Sequence, residues 1–264
     1  MQKRHVDRKK YFLEQAYTTK KYVLPYIQEL YQPTYKVLEI GCGEAGNLKP
    51  FLDLGYECLG VDLDKDQINR GRLFFENHPN NSRLTLISKN IYDFDDFSVK
   101  YDLIMMRDVI EHIHNQEIFI KFLQNFMHSN SVVFFAFPPW QNPFGGHQQI
   151  CKSKLLSKLP FFHLLPKQIY KRILKIFGET DSTIEGLLEI KETGISIERF
   201  EKIIKSSGLE IAKSTYYFIN PNYEIKFGLK PRKIFRFIAC IPIVRNFFIT
   251  CGYYLVTNKK STLL

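Results

Sequence analysis

The stretch Val37–Gly46 reads VLEIGCGEAG, a short apolar run followed by three glycines, Gly41, Gly43 and Gly46, in the pattern G-x-G-x-x-G. Such a run predicts a buried strand over Lys36–Ile40, turning sharply where the backbone must pass close to something. A second strand over Cys58–Val61 ends at Asp62, 21 residues after Gly41. An acid there is placed to accept hydrogen bonds from both ribose hydroxyls of an adenosine. To this point a nicotinamide dinucleotide and any other adenosine cofactor fit equally. Glu39, at the last inward position of the strand, breaks the tie. Its carboxylate repels the two phosphates of a pyrophosphate and suits a ligand that ends in an ammonium group.

Outward from the loop, strands alternate with helices. Residues 10–31 read as one or two amphipathic helices, with Val23, Leu24, Ile27 and Leu30 on one face. Asn47–Leu54 is helical with Gly55 as its stop, and Asp66–Glu76 is a helix before a third strand, Leu84–Ser88. A fourth strand over Asp102–Met106, a helix over Ile118–Met127 and a fifth strand, SVVFFAFP, complete the series. This order predicts an α/β protein with right-handed βαβ units and a parallel sheet covered on both faces. After Pro138 the rhythm stops for roughly 58 residues, a length that in a compact domain points to function. It resumes at SIERFEKIIKSSGLEI, where Ser196 caps a helix that Gly208 ends, and a strand over Cys251–Thr257 closes the chain.

Five segments together, VLEIGCGEAG, GVDLD, SKNIYDF, YDLIMMRDVIEHI and GISIERFEKIIKSSGLEI, resemble the class I S-adenosylmethionine-dependent methyltransferases. The resemblance is closest to the branch related to ubiquinone- and menaquinone-biosynthesis methyltransferases, and covers roughly residues 34–137 and 193–219. It implies a Rossmann-like, doubly wound sheet of seven strands, the last antiparallel. It also implies S-adenosylmethionine as cofactor, with Glu39, Gly41, Cys42 and Gly43 around its methionine part, and Gly46 in the same loop. Asp62 would take the ribose and Leu63 lie against the adenine. Asn90, where the family often has Asp, and Ile91 would face the adenine edge, while Arg107 and Asp108 would border the methionine end. The glycines then serve a bulky sulfonium cofactor and not a pyrophosphate. The expected organisation is one methyltransferase domain over 1–264. It comprises an N-terminal helical cap (1–33), a cofactor-binding core (34–137), a helical acceptor insertion (138–194), and a C-terminal helix with strands and a basic insert (195–264).

A sulfonium methyl is already activated, so such an enzyme chiefly aligns a nucleophile and excludes water, and orientation alone supplies roughly 7–11 kcal/mol. An alcohol or amine acceptor also needs a base. His112, in the Glu111-His112 pair after strand four, is either that base or a hydrogen-bonding member of the fold; His114 reads as a surface residue. Phe137–Gln149, FPPWQNPFGGHQQ, follows strand five on the edge where such sheets bind ligands. Within it Trp140 is a candidate to stack an acceptor and His147 to act as base. Gln148 and Gln149 would orient polar groups, and Gly145-Gly146 would supply flexibility. The alternative is an ordered turn with a satisfied histidine. The acceptor is expected to be small or amphipathic (a quinone precursor, lipid or saccharide), methylated at oxygen. A ribonucleic acid methyltransferase and a non-catalytic adenosine-binding protein are the rival readings.

Five scattered cysteines with no C-x-x-C pair argue against a disulfide framework or zinc site, and no metal is expected. The charged N-terminus lacks a secretory core, and the longest apolar run, Phe237–Val244, is far short of the roughly 20 residues of a membrane span. A cytoplasmic protein is expected. The net charge of +10 is uneven: residues 1–149 balance to −1 and 150–264 to +11. No acidic residue follows Glu224. Residues 167–177 place Ile169, Ile173, Leu174 and Phe177 on one helical face and Lys167, Lys171, Arg172 and Lys175 on the other. KFGLKPRKIFRFIACIPIVRNFF repeats the basic-aromatic mixture. Both suit an anionic membrane surface; a nucleic acid fits less well, and incidental solvated charge is the plain alternative.

Overall fold

A computed structural model describes residues 7–29 and 36–259. Leu30, both ends of the expected 1–33 cap and the last five residues lie outside these. Eight strands form one sheet: β1 (Lys36–Ile40), β2 (Glu57–Asp62), β3 (Leu84–Ser88), β4 (Tyr101–Arg107), β5 (Met127–Phe137), β6 (Leu209–Ile219), β7 (Arg232–Lys233) and β8 (Cys251–Asn258). Their spatial order is β3-β2-β1-β4-β5-β8-β6-β7. The first five are mutually parallel, and β8 runs antiparallel between β5 and β6. Seven strands thus follow the expected scheme. The eighth is the two-residue β7, paired antiparallel to β6 at the edge, too short to leave a periodic signal.

Neighbouring residues of each central strand point to opposite faces, and both faces are covered. Val37, Leu103, Phe134 and Tyr253 join one core with Phe12, Phe51 and Phe75. Leu38, Ile104, Phe135 and Tyr254 join the other, with Phe119, Ile120 and Phe200. This is why the strands read as unbroken apolar runs. The helices of the first face are α1 (Arg8–Thr18), α2 (Leu24–Gln28), α3 (Lys49–Asp53) and α4 (Lys65–Phe75), with a π-helical turn over Thr19–Val23 joining α1 to α2. On the other face lie α5 (Gln116–Leu123) and α8 (Ile197–Ser206). The latter is capped by Ser196, whose hydroxyl accepts from the Arg199 amide at 3.1 Å, as its sequence predicts.

The segment after β5 carries α6 (Lys167–Ile176) and α7 (Asp181–Thr193). Cys151, Leu156, Phe162, Tyr170, Leu174, Ile184 and Leu187 give it a small core of its own. Two short helices, α9 (Asn222–Phe227) and α10 (Arg236–Ala239), occupy the connection from β6 to β8. β1 lies between β2 and β4, where the connections diverge to the two sides. Ligand crevices in such sheets form outside the carboxyl ends of these strands.

Candidate active site

The glycine loop leaves β1 as a tight turn. Gly41 has φ +72°, and its amide donates to the Val61 carbonyl at 2.8 Å. A Cβ on Gly41 would sit 2.4 Å from Cγ2 of Val109. Only glycine lets β1 turn beneath the segment that follows β4. The Gly43 amide donates to Oδ2 of Asp62 at 2.7 Å, and Oδ1 of Asp62 accepts from the Asp64 amide at 2.9 Å. Asp62 therefore ties the loop to the end of β2, where Leu63 leaves an apolar side chain 72% exposed. Asn90 is exposed at the end of β3 and caps its own turn, accepting from the Tyr92 amide at 3.1 Å. The Ile91 side chain is buried in the core.

Two loop residues have roles other than those expected. Cys42 turns its side chain inward, against Gly60, and burial raises its thiol pKa well above the ordinary value. Gly46 makes room for α1: a Cβ there would lie 2.5 Å from the Phe12 carbonyl oxygen. The third glycine admits a helix and not a ligand.

Beneath the loop lies a buried polar network that the motif alone did not reveal. Glu39 is 1% exposed. Its Oε1 accepts from the Asn47 side-chain amide at 2.7 Å, and Oε2 has no partner. Oδ1 of Asn47 accepts from Nη1 of Arg107 at 2.9 Å and from the Thr19 hydroxyl at 2.9 Å. A carboxyl and a guanidinium are thus held in one buried place, bridged by an amide. Burial raises the Glu39 pKa to about 8, although the Asn47 hydrogen bond and the Arg107 charge pull it down. An unpaired buried oxygen is costly, and here it faces the site. Asn47 was legible only as the start of a helix; its position directly after Gly46 was the available signal.

After β4 the chain turns through Asp108, whose φ of +56° is unusual for a residue with a Cβ. Its amide donates to the Ala136 carbonyl at 2.7 Å, and its side chain is exposed. The next turn, Ile110–His112, brings Glu111 inside, with no partner on either carboxyl oxygen. Burial, reinforced by Asp108, raises its pKa well above the ordinary value. Glu111 was not among the expected site residues. His112 meets His147 edge to face, ring centroids 4.9 Å apart at 73°. Two histidines from separate segments therefore converge. One ligand atom from each of Glu111, His112 and His147 lies within 4.8 Å of the others, so the chemistry of a cation site is present where no metal was expected. His112 is open to solvent as a residue, yet the protein around its ring desolvates it enough to lower its pKa, against the pull of Asp108 and Glu189.

The acceptor segment departs from expectation. Trp140 does not offer a free face. A Cβ on Gly194 would be 2.5 Å from its ring, His163 packs edge-on at 4.6 Å, and Lys191 Nζ lies 5.4 Å from the ring centroid. Gln148 is fully buried, and its amide donates to the carbonyls of Pro143 at 2.9 Å and Leu159 at 3.2 Å. It holds the loop together. Gln149 is half-buried in the turn that follows His147. Gly145 and Gly146 are not a flexible hinge, since Cβ atoms there would lie 2.4 Å from the Trp140 carbonyl oxygen and 2.1 Å from His163.

Residues 11–153 match the family described as a methyltransferase domain. An uncharacterized protein of Rickettsia prowazekii (strain Madrid E) is 30% identical over 147 residues, 47% of this chain and 58% of that protein. The ubiquinone biosynthesis O-methyltransferase of Pelagibacter ubique (strain HTCC1062) is 26% identical over 102 residues, 38% and 41% of the respective lengths. The chain spans about half the length of the curated relatives it matches. Among solved structures, a plantazolicin methyltransferase in complex with a triazolic desmethylPZN analog and SAH superposes with a TM-score of 0.56 at 11% identity, covering 96% of this chain and 88% of its own. Magnesium protoporphyrin IX methyltransferase from Synechocystis with bound SAH gives 0.54 at 14%, covering 93% and 84%. At these identities the likeness is one of fold.

Proposed function

This chain belongs to the methyltransferase domain family, and we propose that it is an enzyme transferring a methyl group from S-adenosylmethionine to an oxygen of a small or amphipathic acceptor. The observation that carries this reading is the unpartnered Oε2 of Glu39 in a buried network that also holds Arg107. An amino-acid zwitterion suits that arrangement: its ammonium satisfies Glu39 and its carboxylate satisfies Arg107. Two phosphates do not. When bound, the cofactor supplies a methyl already activated by its sulfonium. Gly41 and Gly43 let the backbone approach its methionine part, Asp62 accepts from the ribose, and Leu63 and the Asn90–Ile91 backbone border the adenine.

Acceptor chemistry falls to the residues after β4 and β5. His112 and His147 stand together at the cofactor's methionine end, and burial favours neutral His112. As an acceptor hydroxyl attacks, its proton passes to an imidazole of this pair, while Glu111 and Asp108 border the cluster. Residues 138–194 shield the reaction from water. Methyl transfer from label-carrying S-adenosylmethionine to a phenolic or lipid-extract acceptor tests the reading. His147→Ala and His112→Ala should each lower kcat by about a hundredfold or more with KM little changed, and activity should survive EDTA. No transfer to any acceptor would leave a non-catalytic adenosine binder, and loss of activity in EDTA would make the Glu111–His112–His147 cluster a cation site and not a base.

A further inference from the structure

We propose that the connection between β6 and β8 is a docking face for an anionic lipid bilayer, a reading that does not depend on methyl transfer. This connection is firmly held from beneath. Ile234 and Ile249 are buried with Ile197 of α8. Arg245 pairs with Glu198 at 2.8 Å and Glu201 at 2.9 Å. The buried Asn246 donates to Glu198 at 2.7 Å and accepts from the Ile197 amide at 2.9 Å. Above these anchors Phe235, Phe237 and Ile243 are 70%, 69% and 65% exposed, and the two phenylalanine rings stack at 5.7 Å. Ile243 adopts φ +67°, a conformation that β-branched residues avoid and that persists only where the surroundings impose it. Three large apolar side chains are therefore held in water on a rigid base, one of them at the expense of backbone strain.

The charge around them selects the partner. Lys230, Arg232 and Arg236 are exposed and form no salt bridge with another described residue. The two acids nearest in the fold, Glu198 and Glu201, are already engaged by Arg245. Apolar side chains that reach below a ring of unpaired cations match a headgroup layer of anionic lipid. A second copy would bring like charges together. The patch also continues toward the acceptor segment: Phe161 lies 6.0 Å from Phe247, and its amide donates to the Pro143 carbonyl at 2.8 Å, in the loop that carries His147.

Flotation with phosphatidylcholine vesicles, with and without phosphatidylglycerol, tests this on the full chain. Native protein should float only with the anionic vesicles, and less as salt rises. The exposed triple variant Lys230→Ala/Arg232→Ala/Arg236→Ala should bind about a hundredfold more weakly, and Phe235→Ser/Phe237→Ser/Ile243→Ser should also lose binding, both with unchanged melting temperatures. Failure to float with anionic vesicles at low salt overturns the proposal. So does native-like binding by the basic triple variant, or a dimer in sedimentation that the apolar variant dissolves.

Discussion

Glu39 carries a proton where an ordinary carboxyl does not, and this has measurable consequences. Its pKa is 4.5 in the unfolded chain and about 8 in the fold because of burial. Between these values the folded state holds a proton that the unfolded chain has released. Stability from this group is complete below about pH 4.5 and is lost as pH rises through 8, by up to about 1.4 kcal/mol per pH unit. Urea denaturation between pH 6.5 and 8 should show native protein losing stability relative to Glu39→Gln; parallel pH profiles would contradict the assignment. An ammonium ligand needs the carboxylate, so affinity for S-adenosylhomocysteine should rise over that window, by up to tenfold per unit, and stay flat in Glu39→Gln. Gly41→Ala faces two obstacles, the Val109 side chain 2.4 Å from the new Cβ and a φ of +72°. It should cost about 2–3 kcal/mol by chemical denaturation, and a neutral result would mean that the turn can relax.

Among elements, α1 deserves the clearest experiment because it closes the glycine loop from outside. Glu44, fully buried in that loop, accepts from Arg8 of α1 at 2.7 and 2.5 Å and from Arg70 of α4 at 3.1 Å. Arg8→Ala leaves this carboxylate with one cation. It should cost about 1–3 kcal/mol and weaken cofactor binding, whereas Arg8→Lys should restore part of both; calorimetric melting with and without ligand reads the two effects. Elements whose cause is local were legible in the sequence. β1, β4 and β5 announce themselves because Val37 and Leu38, or Phe134 and Phe135, bury on opposite faces, and α8 because Ser196 and Gly208 mark its ends. α7 was not legible: DSTIEGLLEIKET mixes polar and apolar residues, and its buried face, Ile184, Leu187 and Leu188, packs only on the small core of its own segment. Nor could composition show that Trp140 and Gln148 spend their contacts inside the protein, since a side chain's partners are set by distant residues such as Gly194 and Leu159. Glu39 was readable because its position relative to the glycines is local; Asn47 and Glu111 matter through contacts or burial that only the fold creates.

At the scale of the whole molecule, the sheet collects its chemistry at one edge. The ends of β1, β2, β4 and β5 supply Glu39, Asp62, Arg107 and the segments bearing His112 and His147. No helix among the described residues is long and apolar enough to cross a membrane; the positive second half offers surface contact instead. The division of labour is therefore spatial, with an electrostatically balanced first half built to hold a cofactor and a basic second half facing outward. Whether the cofactor is a zwitterion or a dinucleotide decides the account, and calorimetric titration of native chain and Glu39→Gln with S-adenosylhomocysteine and with NAD measures it directly. Native protein should bind S-adenosylhomocysteine and gain about 2.7 kcal/mol of stability at a hundredfold excess over Kd, ignore NAD, and lose about tenfold or more in affinity on Glu39→Gln. Binding of NAD at this loop, or S-adenosylhomocysteine binding that Glu39→Gln leaves untouched, would contradict it.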